Sequence, residues 1–386
     1  MGPLRFALVV VSPLFFGLSQ PVLADQVFDT DTGPIRVETF AAGLNHPWSL
    51  AFLPDGGMLV TERRGNLRFV SDAGDVSAPI SGVPEVVARG QGGLLDVALH
   101  PRFAENRLIY LTFSEAGEGG TNGTAVARGF LNADMTALDG VEVIFRQQPK
   151  VASNAHFGSR LVFDNDGLLW VTLGERSQAQ FRVLAQDLGT HLGKVVRILE
   201  DGSVPADNPF VGVGGALPEI WSYGHRNPQG MALHPATGAV WTHEHGPRGG
   251  DEVQIPRAGA NHGWPVFTYG TEYSGAPITN ADDYPEAFAR PIHQWTPSIA
   301  PSGMAFYTGD LIPGWRGNLL VGALAGQRLV RLELDGERVV GEEHLLRGMG
   351  KRIRDVRNGP DGAVWLLTDE PDGEILRIVG ANAATD

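Results

Sequence analysis

Apolar and polar positions along this chain recur as one block: a short apolar strand, a polar turn and a second apolar strand. The first copy is Trp48–Phe52, the turn Pro54–Gly57, then Met58–Glu62. The second joins Gly93–Leu99 to Leu108–Phe113 after His100-Pro101. The third is Ser159–Phe163, Asp164–Gly167 and Leu168–Leu173, and the fourth is Gln229–Leu233, Pro235–Gly238 and Ala239–Thr242. The fifth runs from Ser302–Phe306 through a longer turn with Pro313-Gly314 to Asn318–Gly322; the sixth is Ile353–Val356, Pro360–Gly362 and Ala363–Thr368. Asp-Gly and Thr-Gly between apolar runs signal hairpins, because the tight turn needs positive φ. A lone hairpin cannot bury its apolar face, so successive copies must cover one another. Radial blades achieve that and protect the sheet edges. Six copies, at intervals of roughly 45 to 75 residues, predict an all-β protein, a six-bladed β-propeller forming one domain over residues 25–386. A two-sheet sandwich is the rival, and sixfold repetition argues against it. Ile35–Phe40 is a candidate to close the ring beside the last blade.

Composition supports this reading. The 386 residues include 51 Gly and 26 Pro, so punctuation is dense throughout. Only Arg102–Ala116 and Glu175–Leu188 exceed twelve residues without either; the first holds a strand and the second is the one plausible helix. A hydrophobic fraction of 42% is enough for a large core. The net charge of −14 argues against binding to nucleic acid or to an anionic membrane surface. The absence of cysteine excludes disulfides, thiolate nucleophiles and Cys-ligated metals. Met1–Ala24 has one cation, Arg5, an apolar run Phe6–Leu18, and Val22-Leu23-Ala24 at its end. That is the layout of a cleavable signal peptide, so a periplasmic or secreted protein beginning near Asp25 is expected. The run is interrupted by Pro13 and Gly17 and falls short of the ~20 apolar residues of a stable membrane span.

Chemistry on a propeller belongs where inter-blade loops meet the axis. His156, in Asn154–Arg160, is either a general base of near-neutral pKa or a ring bonded to a loop carbonyl. Arg226 and Asn227, in Trp221–Gly230, either offer donors to a carboxylate or developing oxyanion, or scaffold a turn. Arg352 and Arg354 flank Ile353 and share a strand face; they suit an anionic ligand or, with Lys351, a solvated charge run. His243 and His245 have zinc-pair spacing, but no third ligand follows at a telling distance. Oxygen donors around Asp251 and Glu252 suit Ca²⁺ better. Gln91, within Gly90–Gly93, is a ligand contact or part of an ordinary glycine turn.

From Leu44 to Val379 the chain resembles the soluble aldose sugar dehydrogenases that use pyrroloquinoline quinone (PQQ), relatives of soluble glucose dehydrogenase. The resemblance rests on His156–Phe163, Trp221–Gly230, His245–Glu252 and Arg352–Arg357. It implies a six-bladed propeller that oxidises the C1 hydroxyl of aldose sugars to lactones by hydride transfer to PQQ. His156 then matches the catalytic base and Arg226 the arginine beside the reacting quinone carbonyl. Gln91, Asn227, Tyr273, Arg352 and Arg354 match cofactor contacts. Gly246 and Pro247 match the turn holding the Ca²⁺ that polarises PQQ; Glu252 and the His262 carbonyl match a separate structural Ca²⁺ site. Many relatives carry a lysine at about Ala325, a departure that bears on PQQ affinity more than on the reaction, and Arg328 lies three residues on. His262 replaces a tyrosine common in relatives. Shorter loops imply an open site of broad aldose specificity.

The expected partners are aldose sugars and an external electron acceptor, a quinone or cytochrome, since no haem motif is present. The protein is expected to be a monomer or homodimer. Two rivals stand on the same architecture: a metal-dependent lactonase-type hydrolase and a non-catalytic binding propeller.

Overall fold

The computed structural model describes residues 25–279 and 284–383. The expected signal peptide, Met1–Ala24, lies outside the described residues. The strands form six antiparallel sheets that follow one another along the chain. Blade 1 has Pro47–Phe52, Met58–Glu62 and Asn66–Val70. Blade 2 has Leu94–Leu99, Leu108–Ala116, Asn122–Leu131 and Leu138–Arg146. Blade 3 has Gly158–Phe163, Leu169–Leu173, Lys194–Ile198 and Ile220–Tyr223. Blade 4 has Pro228–Leu233, Val240–Glu244, Asp251–Gln254 and His293–Trp295. Blade 5 has Pro301–Phe306, Leu319–Ala323, Arg328–Asp335 and Arg338–Leu345. Blade 6 has Ile353–Asn358, Val364–Thr368 and Gly373–Gly380. The first strand of each blade neighbours those of the adjacent blades, blade 6 returning to blade 1. The six-bladed propeller expected from the repeats is therefore the observed architecture.

Blade 6 is completed from the other end of the chain. Ile35–Leu44 pairs antiparallel with Gly373–Gly380, from Ile35 opposite Gly380 to Leu44 opposite Gly373. This is the expected closing segment, four residues longer than Ile35–Phe40. The expected helix within Glu175–Leu188 is short: one α-turn at Ala179–Arg182, then a 3₁₀ turn at Val183–Gln186.

Packing explains the repeat. The second strand of most blades is buried at every position, as in Met58–Glu62, Leu169–Leu173 and Val364–Thr368. It lies mid-sheet between two neighbouring blades, so it reads as an unbroken apolar run rather than an alternating one. The main core is correspondingly divided into clusters between adjacent blades, such as Leu59, Leu94, Ile109 and Leu111 between blades 1 and 2. In all six blades the pairing of first and second strands slips near the start of the first strand. Such bulges bend a strand and re-aim side chains. They lie at the end of the channel where the chain passes from one blade to the next.

Below that end the channel is plugged by charge. The Asp96 carboxylate accepts from Ser49 Oγ at 2.5 Å, Arg160 at 3.1 Å and Arg357 at 3.2 Å. Asp355 pairs with the same two arginines, at 3.1 Å and 2.9 Å. Two carboxylates and two guanidiniums thus pair with one another, as buried charges must, with Arg160 Nη2 and Asp355 Oδ1 making no hydrogen bond of their own.

Candidate functional site

The loop before blade 3 carries His156. His156 has φ 51°, and its N–H donates to Gln91 Oε1 at 2.8 Å. A Cβ on Gly174 would meet the His156 carbonyl at 2.1 Å, so glycine is required for this approach. Arg176 fastens the same loop: its buried guanidinium donates to the Ala155 carbonyl at 2.9 Å and Asn122 Oδ1 at 2.7 Å, and lies 3.8 Å from the Phe157 ring centre. Burial pulls the Arg176 pKa down to about 9.

The His156 ring is almost wholly buried, and its Nδ1 lies 3.1 Å from Glu175 Oε2. Burial, then the nearby Arg226 charge, lower the His156 pKa; Glu175 opposes both. Burial would raise Glu175, but hydrogen bonding and charge from His156, with Arg226 and the Ser177 N–H, hold it below the usual carboxylate range. The pair is therefore a neutral imidazole beside a carboxylate. Nδ1–H donates to Glu175, which leaves Nε2 as the proton acceptor.

Arg226 and Asn227 precede blade 4. The Arg226 guanidinium donates to the His245 carbonyl at 3.0 Å and the Gly246 carbonyl at 2.6 Å, and reaches the Tyr273 hydroxyl at 3.5 Å. Both backbone N–H groups donate to Glu244 Oε2. Asn227 Oδ1 accepts from Gly158 N–H at 3.1 Å, tying blade 4 to the His156 loop. Gln91, His156, Arg226, Gly246, Pro247, Tyr273 and Ala325 line one cavity of about 700 Å³. Six residues singled out in the sequence thus meet, Gln91, His156 and Arg226 from three inter-blade connections and Gly246, Pro247 and Tyr273 from two loops within blade 4, together with the alanine that departs from the lysine of many relatives. Tyr273 is 72% exposed at its rim.

Arg352 and Arg354 are not on that wall. Both donate to Asp369 Oδ2, at 3.1 Å and 2.8 Å, and Arg354 also reaches Gln229 Oε1 at 2.9 Å. Burial would raise Asp369, but Arg354, Arg63 and Arg352 hold its pKa far below the carboxylate range. Arg328 does not supply a cation where Ala325 stands: its guanidinium binds the Gly326 carbonyl at 2.8 Å and the His344 ring at 2.8 Å. Polar atoms remain for a ligand. Arg226 Nε, Asn227 Nδ2 and Arg354 Nε are buried without a partner. Unpaired buried donors are costly in a finished site; of the three residues Arg226 lines the cavity, where a polyanionic, carbonyl-bearing cofactor fits it.

Glu252 and His262 lie beside a second, small void of about 10 Å³, with Glu244, the Gly246 segment and Arg226. Burial first, then Glu244, raises the Glu252 pKa well above its ordinary value. Gln254 Nε2 bridges the two carboxylates at 2.8 Å and 2.5 Å. Two buried carboxylates around a small void suit a hard cation. No cluster of three or more His, Asp or Glu arranged for a metal exists among the described residues, so backbone carbonyls would have to complete either cation site. The His243/His245 pair is divided: His243 is buried without a partner, with a pKa pushed down to about 3 chiefly by burial, while His245 Nε2 meets the Pro301 carbonyl at 2.5 Å.

Sequence reasoning missed Glu175, Glu244 and Asp369. A signal was present: an acid follows the second-strand threonine within three residues in Thr61-Glu62, Thr172–Glu175, Thr242–Glu244 and Thr368-Asp369.

Residues 44–377 match the family described as Glucose / Sorbosone dehydrogenase. The chain is 48% identical over 350 residues to aldose sugar dehydrogenase YliI of Escherichia coli, covering 90% of this chain and 94% of that one. The apo crystal structure of the soluble aldose sugar dehydrogenase of Escherichia coli superposes with a TM-score of 0.86 at 48% identity, over 90% of this chain and 99% of that one. The PQQ-bound aldose sugar dehydrogenase of Streptomyces coelicolor gives 0.71 at 28% identity, over 89% and 98%. With a family match across nearly all the described residues and relatives of this identity along the same length, the chain belongs to the glucose/sorbosone dehydrogenase family.

Proposed function

We propose that this protein is a PQQ-dependent aldose sugar dehydrogenase that oxidises the C1 hydroxyl of aldoses to the lactone. The observation that carries the reading is the 3.1 Å contact of His156 Nδ1 with Glu175 Oε2 at a cavity that His156 shares with Arg226. PQQ, held by Arg226, Asn227, Gln91, Tyr273 and the Arg352/Arg354 pair, would supply the two-electron acceptor for the hydride from C1. His156 Nε2 takes the proton of the C1 hydroxyl, and Glu175 stabilises the imidazolium that results. Arg226, on the cavity wall, would stabilise negative charge on a carbonyl oxygen of the bound cofactor. The Gly246 and Pro247 carbonyls would hold a Ca²⁺ beside the cofactor, and Glu252 with the His262 carbonyl a structural one. Re-oxidation would fall to an external electron acceptor, a quinone or cytochrome. The leader-like composition of Met1–Ala24 supports export to the periplasm.

A lactonase would need carboxylates free to bind a metal at the axis. Asp96 and Asp355 are instead matched by Arg160 and Arg357. Reconstitution decides: PQQ and Ca²⁺ are added to cofactor-free protein and the quinone absorbance is followed as glucose is added. Binding followed by sugar-dependent bleaching is expected; hydrolysis of lactones without any quinone reduction would sink the assignment.

A further inference from the structure

Hydrogen bonds hold Arg226 chiefly at one nitrogen. Its Nη1 donates to the His245 and Gly246 carbonyls, Nη2 reaches the Tyr273 hydroxyl only at 3.5 Å, and Nε is buried without a partner. A planar guanidinium fixed at one corner can pivot about it. An indole limits that pivot. The Arg226 guanidinium lies 5.3 Å from the centre of the Trp264 ring, and the Arg182 guanidinium lies 5.6 Å from the same ring. Trp264 is buried, and both of its backbone groups are tied: its N–H donates to the Gly224 carbonyl at 2.9 Å, and its carbonyl accepts from Gln186 Nε2 at 2.7 Å. Two cations share the ring because each is drawn to its π face, and because Glu272 neutralises Arg182 at 2.6 Å. Glu272 begins the turn that carries Tyr273: its carbonyl accepts from the Gly275 N–H and its N–H donates to the Ala276 carbonyl, both at 2.8 Å. The contacts close a circuit from Arg226 through Trp264, Arg182, Glu272 and Tyr273 back to Arg226. Trp264, Arg182 and Glu272 stand outside the lining of the main cavity, so whatever they do there is done through Arg226 and Tyr273.

We propose that Trp264 is a positioning residue for the oxidation: its ring, braced by the Arg182–Glu272 ion pair, holds the Arg226 guanidinium in place at the cavity wall. The proposal rests on the aldose dehydrogenase reading. A donor stabilises charge in a reaction best when it is already in place and needs no reorganisation. A guanidinium free to swing about Nη1 loses that advantage while the substrate still binds. The loss therefore belongs to kcat more than to KM. The same held charge also acts on His156. Burial first, then Arg226, lower the His156 pKa, with Arg176 on the same side and Glu175 opposed. His156 thus reports where Arg226 stands.

The test compares Trp264→Leu, which removes the ring face, with Trp264→Phe, which keeps one. With saturating PQQ and Ca²⁺, kcat for glucose should fall about tenfold in Trp264→Leu with KM within about twofold, and Trp264→Phe should recover most of the loss. Arg182→Ala, which leaves the ring without its brace, should lower kcat by a smaller factor. Cofactor-free protein gives a readout independent of turnover, the NMR titration of the His156 ring. Release of Arg226 should let its midpoint rise in Trp264→Leu, while Trp264→Phe stays with the wild type. A packing role alone would lower the denaturation midpoint of Trp264→Leu and leave kcat and the His156 titration where they are. That result, or equal losses in the leucine and phenylalanine variants, would overturn the proposal. Failure to oxidise any aldose counts against the functional reading alone, because the cofactor-free titration still decides the positioning.

Discussion

At one end of the six innermost strands stand His156, Arg226 and Gln91, in a cavity of about 700 Å³. At the other end the same strands close a bowl of about 410 Å³ lined by residues such as Ala51, Ala98, Val162, Ala232 and Ala305. The strands are common to both, so the strands do not create the chemistry. The first end has bulged strand starts, the connections between blades and two loops of blade 4, which bring polar groups from different blades together. The second has mostly short hairpin turns, such as Pro54–Gly57, which leave little chain to carry functional groups. Its one strongly charged wall residue, Arg357, is spent on Asp96 and Asp355 in the plug between the ends.

The contrast can be broken most severely at the reacting end. His156→Ala should lower turnover by about 10² to 10⁴-fold, the usual worth of a positioned base, while cofactor titration shows binding retained. Next is the plug. Asp96→Ala leaves Arg160 and Arg357 short of a partner and should cost about 3–5 kcal/mol, read as a fall in denaturation midpoint. Arg354→Ala should weaken PQQ loading by about tenfold or more, since charge-assisted hydrogen bonds are each worth about 1.5–3 kcal/mol, with turnover at saturating PQQ much less affected. Glu175→Gln should have the smallest effect. Glu175 raises the His156 pKa, so its loss lowers that pKa further. Turnover should drop modestly, and the acid limb of its pH profile, already below the ordinary histidine value of 6.5, should move further down. An upward shift would mean that another group is the base.

The architecture was legible because each blade repeats one apolar–turn–apolar block, and only a ring buries six of them. Gln91, His156, Arg226, Gly246, Pro247 and Tyr273 were legible individually, and the structure brings them to one cavity. What the sequence hid was pairing. Glu175 lies nineteen positions from His156 across a hairpin. Asp369 is reached by Arg352 and Arg354 only once the end of blade 6 folds over. The burial of Arg354 was equally hidden, because a charge run beside Lys351 reads as solvated until the neighbouring blade covers it. The helix expected in Glu175–Leu188 shrank because its first residues are held by the site: Glu175 by His156, and Arg176 by the carbonyls of the His156 loop.

The pairing of Ile35–Leu44 with Gly373–Gly380 sets an order of events. During synthesis the early strand emerges long before its partner exists. The ring is complete only when nearly the whole chain is available. Gln91, His156, Arg226 and Ala325 come from loops spread around that ring, so their common cavity is a property of the closed circle and not of any one blade. A polypeptide that stops short of the last blade would have all the reacting side chains and no place for them to meet. Cofactor capture is thereby made to follow completion of the chain.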